Sequence, residues 1–381
     1  MGPQKVVMLL SNPFRPDPRV RREARSLVQA GYNVTVVCWD RQGELVAREE
    51  IDGVEIRRMA IPSRYSAGSR QMFYLPRFWR CALQELYVLR PSIVHCHDLD
   101  TTPAGYWYAR RHHVPWIFDA HECYPEQIGP QVNRVIYYAL LILERYMTRR
   151  ATHVITVGEL LAQRFRSMGG QVSVVGNYQH LEPLGAQHHI LRADLGLRPS
   201  EFVVSYIGGF TRARAILPLI QATEHFSDVT VLLLGDGPQR GAIESQLPSH
   251  PHVRYLGHVP QDQVPDYTAM ADVIYYGLDI HDGNSRYSSP NALFHALVAG
   301  KPVLTTNVGE IADIVREEQC GVVVELPTPV LLAQAMRQLS DPDIRGPLAA
   351  NAYRAARSRY NWAVAEATLL NVYQGIITGD G

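Results

Sequence analysis

Short apolar runs alternate with helix-patterned segments along most of the chain. KVVMLLSN, NVTVVCWD, SIVHCHD, WIFDAHE and HVITVG read as strands buried on both faces, and VEIRRMAI as a shorter one. Between them, PRVRREARSLVQAG reads as a helix ending at Gly31, and FWRCALQELYVLR as another. Strand and helix in alternation predict a parallel, doubly wound sheet with helices on both faces. Ligands of such sheets bind at the carboxyl ends of the strands. That rule selects Asn12, Asp40, His97, Asp98, His121 and Glu122. The pattern fades over HLEPLGAQHHILRADLGLRPS and then resumes with FVVSYIGG, VTVLLLGDG, VRYLGHV, VIYYGLD, PVLTTN and GVVVE. The expected fold class is α/β with two such domains: residues 1–178, a linker at 179–200, and 201–360. The amphipathic helix in 361–381 is expected to return to the first domain.

With 381 residues the chain is long enough for two cores. Its net charge is zero, but the first 180 residues hold 23 of the 37 basic and 16 of the 37 acidic residues. Two halves of opposite charge suit different partners: an acidic substrate, anionic lipid or the other half for the basic one. Lys5 and Lys301 are the only lysines. Five cysteines without a CxxC pattern fit a reducing compartment. The N-terminus enters a strand at once, unlike a signal peptide, and no apolar run approaches the ~20 residues needed to span a bilayer. A cytoplasmic protein is expected, with no nucleic-acid partner; oligomeric state is open.

Three strand ends in the second half carry candidate chemistry. In SSPNALFHALVAGKPVLTTNVGE, Ser289 is expected to cap a helix with Pro290 at its first position, and Gly300 to end it. Such a helix N-terminus, preceded by Ser288 and Ser289, suits phosphate. In YIGGFTRARAI, Gly208 and Gly209 allow close backbone approach, and Arg212 and Arg214 are expected to open a helix and suit an anion. LLLGDGPQR supplies a second glycine turn around Gly235 and Asp236.

The segments DPRVRREARSLVQAGYNVTVV, HCHDLDTTPAG, FDAHECYPEQ, YIGGFTRARAI, LLLGDGP, VRYLGHV and SPNALFHALVAGKPVLTTNVG come in the order of the blocks of one known group. The chain resembles the GT-B glycosyltransferases, specifically the family-four group of retaining, nucleotide-sugar-dependent enzymes, over nearly its whole length. The resemblance implies two Rossmann-like domains facing a central cleft, with acceptor bound by the first and donor by the second. In that family an arginine and a lysine after the first strand of the second domain hold the diphosphate. Gly209 and Arg214 stand at those positions, so Arg214 keeps a charge and Arg212 is the candidate replacement for the other. The family's Glu-x7-Glu carboxylates are replaced by Tyr287 and His295. His295 retains a hydrogen-bonding group for a ribose hydroxyl; Tyr287 supplies no carboxylate. Ser288, Ser289 and Asn291 complete the expected donor seat.

His121 matches a histidine that family members place against the donor sugar, with Glu122 beside it as a candidate base. Asn12, His97 and Asp98 are the acceptor-side candidates. The resemblance implies no cofactor and no metal. The donor is a nucleoside-diphosphate sugar, UDP-type favoured over GDP or dTDP; the acceptor hydroxyl is on a glycan, a lipid-linked glycan or a small natural product. The departures at Tyr287 and His295 leave a catalytically impaired relative as an alternative, and a sugar-nucleotide epimerase as another. A metal hydrolase using His95, His97, Asp98 and His121 is a weaker rival. Aromatics and arginines in Phe73–Arg90 and Asn133–Arg150 suggest peripheral contact with the inner face of a membrane.

Overall fold

The structure is a computed structural model that describes residues 3–15, 17–63, 72–181 and 192–379. The part of the expected linker at 182–191 lies outside the described residues. The chain divides into two compact units, Met1–Gly176 with Ala365–Gly381, and Asn177–Val364.

The first unit is built on eight strands: β1 (Lys5–Leu10), β2 (Asn33–Asp40), β3 (Arg48–Ile51), β4 (Val54–Ala60), β5 (Ile93–His97), β6 (Trp116–Ala120), β7 (His153–Thr156) and β8 (Val172–Val174). Their order is β3-β4-β2-β1-β5-β6-β7-β8, parallel throughout except for β3 against β4. Among the described residues six helices connect them: α1 (Pro18–Gln29), α2 (Leu75–Leu89), α3 (Thr102–His112), α4 (Tyr124–Ile128), α5 (Arg134–Thr148) and α6 (Glu159–Ser167). Strands β5 and β6 are buried at every residue, as continuous runs between helical layers should be. Helix α3 lies close on β5 because Gly105 has no side chain; a Cβ there would stand 2.1 Å from Cys96 Sγ. The strand order turns from one direction to the other between β1 and β5, so the carboxyl ends of these strands are where a ligand is expected.

Strand β3 was not expected. It pairs with β4 through Asp52 and Gly53, whose φ values of +54° and +78° make the two-residue turn that matches strand twist.

The second unit holds six parallel strands: β9 (Val203–Ile207), β10 (Thr230–Leu234), β11 (Val253–Gly257), β12 (Val273–Tyr276), β13 (Val303–Thr306) and β14 (Gly321–Val324). Their order is β11-β10-β9-β12-β13-β14, with the switch point between β9 and β12. The helices are α7 (Ile216–Ala222), α8 (Arg240–Gln246), α9 (Val264–Met270), α10 (Asn291–Val298), α11 (Gly309–Glu317), α12 (Pro329–Ser340) and α13 (Pro342–Ser358). A last helix, α14 (Trp362–Thr378), belongs to the first unit from Ala365 onward.

Two local expectations need correcting. Arg212 and Arg214 do not open a helix: they form a single 3-10 turn, and Ala215 at φ +47° separates it from α7. Ser289 does not cap α10, and Pro290 is not its first helical residue. Pro290 itself holds the cap position, and no side chain caps the helix.

Candidate functional site

At the carboxyl edge of the second sheet, the loops after β9 and β10 are strapped together. Phe210 N donates to Asp236 O at 2.8 Å, and Gln239 N donates to Phe210 O at 2.9 Å. Gly235 makes this contact sterically feasible, since a Cβ there would lie 1.9 Å from Gly208 O. Its role is thus loop packing, whereas among the described residues nothing lies within 4 Å of a Cβ built on Gly209. Gly208 sits against the Tyr206 ring, whose hydroxyl donates to Gly209 O at 2.7 Å. Asp236 accepts from Gly237 N at 2.7 Å and lies 3.6 Å from Arg240, partly exposed.

The β9 loop also reaches the end of β12, across the switch point. The Arg214 guanidinium stands 5.0 Å from the centre of the Tyr276 ring, a cation–π contact, and Asp279 N donates to Ala213 O at 2.9 Å. Thr306 holds the β12 loop from β13, exchanging 2.8 Å hydrogen bonds with Leu278 N and O. The chain then makes the 3-10 turn Ser285–Tyr287 and enters α10. The turn packs on the start of α11, where a Cβ on Gly309 would meet Arg286 O at 2.5 Å.

At the start of α10, Leu293 N donates to Pro290 O at 3.1 Å, and the Asn291 and Ala292 amides precede any intrahelical acceptor. Among the described residues Ser289 Oγ is buried without a hydrogen-bond partner, while Ser289 O accepts from Asn177 Nδ2 at 2.7 Å. Asn291 Oδ1 accepts from Gln179 Nε2 at 3.2 Å. Ser288 lies just ahead of Ser289, and His295 follows on the second turn of α10, half-buried. These residues and Arg212, Arg214 and Gly209 all follow strands that end on one edge of one sheet.

In the first unit, Asn12 and Asp40 serve their own turns. Asn12 donates to Asp17 at 2.8 Å and accepts from Phe14 N at 2.8 Å. Asp40 accepts from Gln42, Gly43 and Leu45 amides. Glu122 accepts a hydrogen bond from Gln127 of α4.

The histidines are drawn together instead. Parallel register places His97 beside Asp119, and His95 lies two residues back on the same face of β5. The His95 and His97 rings stack with centroids 4.3 Å apart. His97 Nδ1 lies 3.1 Å from His121 Nε2. Asp119 Oδ2 is 3.4 Å from His95 Nε2, 3.3 Å from His97 Nδ1 and 3.4 Å from His121 Nε2. Its Oδ1 is 2.9 Å from Arg19 Nη2, and Arg19 also pairs with Glu23 at 3.0 Å. Asp98, at φ +61°, accepts from His121 N at 3.0 Å, tying the β5 loop to the β6 loop.

The electrostatics follow. Burial opposes charge on Asp119, yet Arg19 and His121 hold its carboxyl well below the usual range. Burial would also discharge His121, but Asp98 and Asp119 outweigh it and raise the imidazole to about 10. Burial and its neighbour His95 keep His97 well below the ordinary value, and hence neutral. Burial lifts Glu23 to about 8. Glu23, His95, His97 and Asp119 place one ligand atom each within 4.8 Å of one another. The Arg19 guanidinium stands against both carboxylates and takes the place of a cation there, so the set reads as an arginine-centred network.

His97, Asp98 and His121 stand out in the sequence as strand-end residues; Asp119, Arg19, Glu23 and Tyr373 join them only in the fold. A signal was present. Asp119 is the one charged residue of β6, His121 follows it two residues on just past the strand end, and Arg19 and Glu23 are four apart on α1.

Among the described residues, no helix is long and apolar enough to cross a membrane. Helix α5 exposes Val135, Tyr138 and Ile142. These lie beside the exposed Arg134 and Arg145.

Two family models match in succession: a glycosyl transferase 4-like domain over residues 16–177 and glycosyl transferases group 1 over 201–341. An uncharacterised glycosyltransferase of Methanocaldococcus jannaschii is 25% identical over 370 residues, covering 92% of each chain. Among solved structures, a sucrose-phosphate synthase from Thermosynechococcus elongatus superposes with a TM-score of 0.85 at 19% identity. It covers 99% of this chain and all of its own. The HepE protein of Anabaena, solved with UDP-glucose, superposes at 0.75 with 15% identity, covering 97% of this chain and 99% of that one. With both glycosyltransferase domains in sequence and two Rossmann-like sheets in the matching order, the chain belongs to the GT-B glycosyltransferases of the family-four type.

Proposed function

We propose that this glycosyltransferase moves a sugar from a nucleoside-diphosphate sugar to a hydroxyl acceptor, with retention and without a metal ion. The observation that carries this reading is the uncapped start of α10, where the Ser289 hydroxyl is buried without a partner. Unpaired amides and the positive end of the helix dipole suit a diphosphate. The Arg212–Arg214 turn follows β9 on the same sheet edge and supplies fixed positive charge. His295 is the candidate for the ribose hydroxyls and Tyr287 for the sugar. The diphosphate of HepE's UDP-glucose makes UDP the first donor to try.

In the proposed step the bond between the anomeric carbon and the diphosphate oxygen breaks. A bond to the acceptor oxygen forms on the same face, and the acceptor proton passes to the departing phosphate oxygen. Arg214, Arg212 and the α10 amides steady the leaving charge in place of a metal. His121 bears on the sugar, Glu122 is the acceptor-side hydrogen-bond partner, and His97 and Asp98 support the acceptor side. The test is product analysis with UDP-, GDP- and dTDP-sugars against a panel of hydroxyl acceptors, with and without EDTA. The reading predicts an α-linked product from an α-linked donor and a rate unaffected by EDTA. An inverted product or an EDTA-sensitive rate contradicts it. A second reading, a nucleotide binder without transfer, is favoured by the absence of carboxylates at Tyr287 and His295. It predicts bound nucleotide and no product.

The exposed apolar and basic face of α5 supports peripheral contact with anionic lipid, which would bring the protein to lipid-linked acceptors.

A further inference from the structure

Side chains reach Asp119 from α1, from β5 and from the loop after β6, and each contact constrains the next. Arg19 of α1 holds Oδ1, and its other terminal nitrogen donates to Val175 O at 2.6 Å, so the guanidinium is itself fixed. Tyr373 of α14 stands with its hydroxyl 2.7 Å from His95 Nδ1. A carboxylate beside His95 Nε2 favours the proton on that nitrogen, so Nδ1 accepts from Tyr373 and Nε2–H faces Asp119. His97 is neutral, and its Nδ1 lies 3.1 Å from His121 Nε2; Asp119 Oδ2 stands 3.3 Å from the first nitrogen and 3.4 Å from the second, so the carboxylate faces both. The remaining nitrogen, His121 Nδ1, lies 3.7 Å from Asp98 Oδ2, longer than a hydrogen bond. His121 alone of the three histidines reaches the surface, with its side chain 17% exposed.

The geometry points to Asp119 as the positioning residue of His121: anchored by Arg19 and by the Tyr373–His95 pair, it fixes the ring through Nε2 and keeps it doubly protonated. His121 then presents Nδ1–H outward as a cationic hydrogen-bond donor. It does not serve as a base, because it has no lone pair to offer. This rests on the reading that His121 meets the sugar, and it assigns the chemistry of that contact: a donor to a hydroxyl or phosphate oxygen. The charged groups facing His121 are Asp98 from β5, Asp119 from β6 and Arg19 from α1. His97 and His95 face it as neutral rings, and Glu23 stands behind Arg19.

The experiment follows the imidazole nitrogens of the full-length protein by NMR with labelled histidine from pH 6 to 10, using His121→Gln to assign the signal. In the native protein His121 is expected to carry two protons throughout the neutral range. In Asp119→Asn its midpoint is expected to fall by at least about one pH unit, and its nitrogen shifts to move toward a neutral ring. Removing Asp119 alone strands the buried Arg19 charge, so Arg19→Gln with Asp119→Asn is the companion variant if the single one does not fold. A folded variant of either kind with an unchanged His121 titration overturns the proposal. The readout does not depend on turnover. If the titration moves while the rate of transfer does not, the positioning role stands and the contact of His121 with the sugar fails.

Discussion

Gly235 and Gly209 make a paired test of how the donor edge is built. A Cβ at Gly235 would fall 1.9 Å from Gly208 O and 3.1 Å from the Phe210 ring. Restoring an ordinary contact of about 3.4 Å requires the two loops to part by about 1.5 Å, against the bonds from Phe210 N to Asp236 O and from Gln239 N to Phe210 O. The backbone at Gly235 also has φ +146°, which a residue with a side chain rarely adopts. Backbone strain and overpacking cost roughly 1–3 kcal/mol each, so Gly235→Ala is expected to destabilise the second unit by about 2–5 kcal/mol. That corresponds to a fall in Tm of roughly 5–20 °C for a unit of this size. Gly209→Ala meets nothing within 4 Å, so its stability should stay within about 0.5 kcal/mol of native. It should instead weaken UDP binding about tenfold, because the methyl group occupies the space proposed for the diphosphate. Thermal melting and calorimetric titration with UDP read both effects. A Gly235→Ala protein that melts like the native one refutes the packing argument. A Gly209→Ala protein that binds UDP normally refutes the placement of the ligand.

Three further outcomes are expected. The His121 pKa is raised in the fold, to about 10, so its contribution is fully present below the unfolded value near 6.5 and is lost as pH rises through 10. Melting of the first unit should therefore decline from pH 7 to 10, and His121→Gln should flatten that decline; a parallel curve for the variant contradicts the assignment. The backbone bonds of Phe210 N and Gln239 N keep the β10 loop in place, but among the described residues the Asp236 side chain meets its own turn and Arg240, so Asp236→Ala should lower UDP affinity less than threefold, by titration calorimetry. Ile142→Glu with Arg145→Glu should abolish sedimentation with vesicles rich in anionic lipid and leave melting within about 0.5 kcal/mol of native, since both side chains are exposed. Equal binding to anionic and neutral vesicles by the native protein refutes the electrostatic part.

The six strands of the second unit were legible because each is a short, mainly apolar or β-branched segment bounded by glycine, proline or a polar turn. The first unit lost two strands to the same criterion. Strand β3, REEI, carries charges on an edge and has no apolar run; only the Asp52–Gly53 turn announced it. Strand β8 has just three half-buried residues. At the donor edge, the glycines and arginines marked the loops, but their roles differ in ways spacing cannot show. Gly235 serves the neighbouring loop and Gly209 faces open space. Asn12 stands out in the sequence because it follows a strand; what the sequence does not show is that both its amide oxygen and nitrogen hold local partners, Phe14 and Asp17. Asp119 was hidden for the opposite reason. A charged residue inside a strand is legible only when its partners are known: Arg19 lies a hundred residues before it, and Tyr373, which braces its neighbour His95, more than two hundred after.

The central claim is that the edge formed by Arg214 and the start of α10 holds a nucleoside diphosphate. The most direct measurement is calorimetric titration of the native protein and Arg214→Ala with UDP, GDP, dTDP and ADP, with thermal melting alongside. The account predicts that one nucleotide binds, that at a hundred times its Kd it adds about 2.7 kcal/mol of stability, and that Arg214→Ala weakens it at least tenfold while keeping its own fold. Binding that Arg214→Ala leaves intact would put the diphosphate elsewhere, and no binding by any of the four would contradict the account at its root.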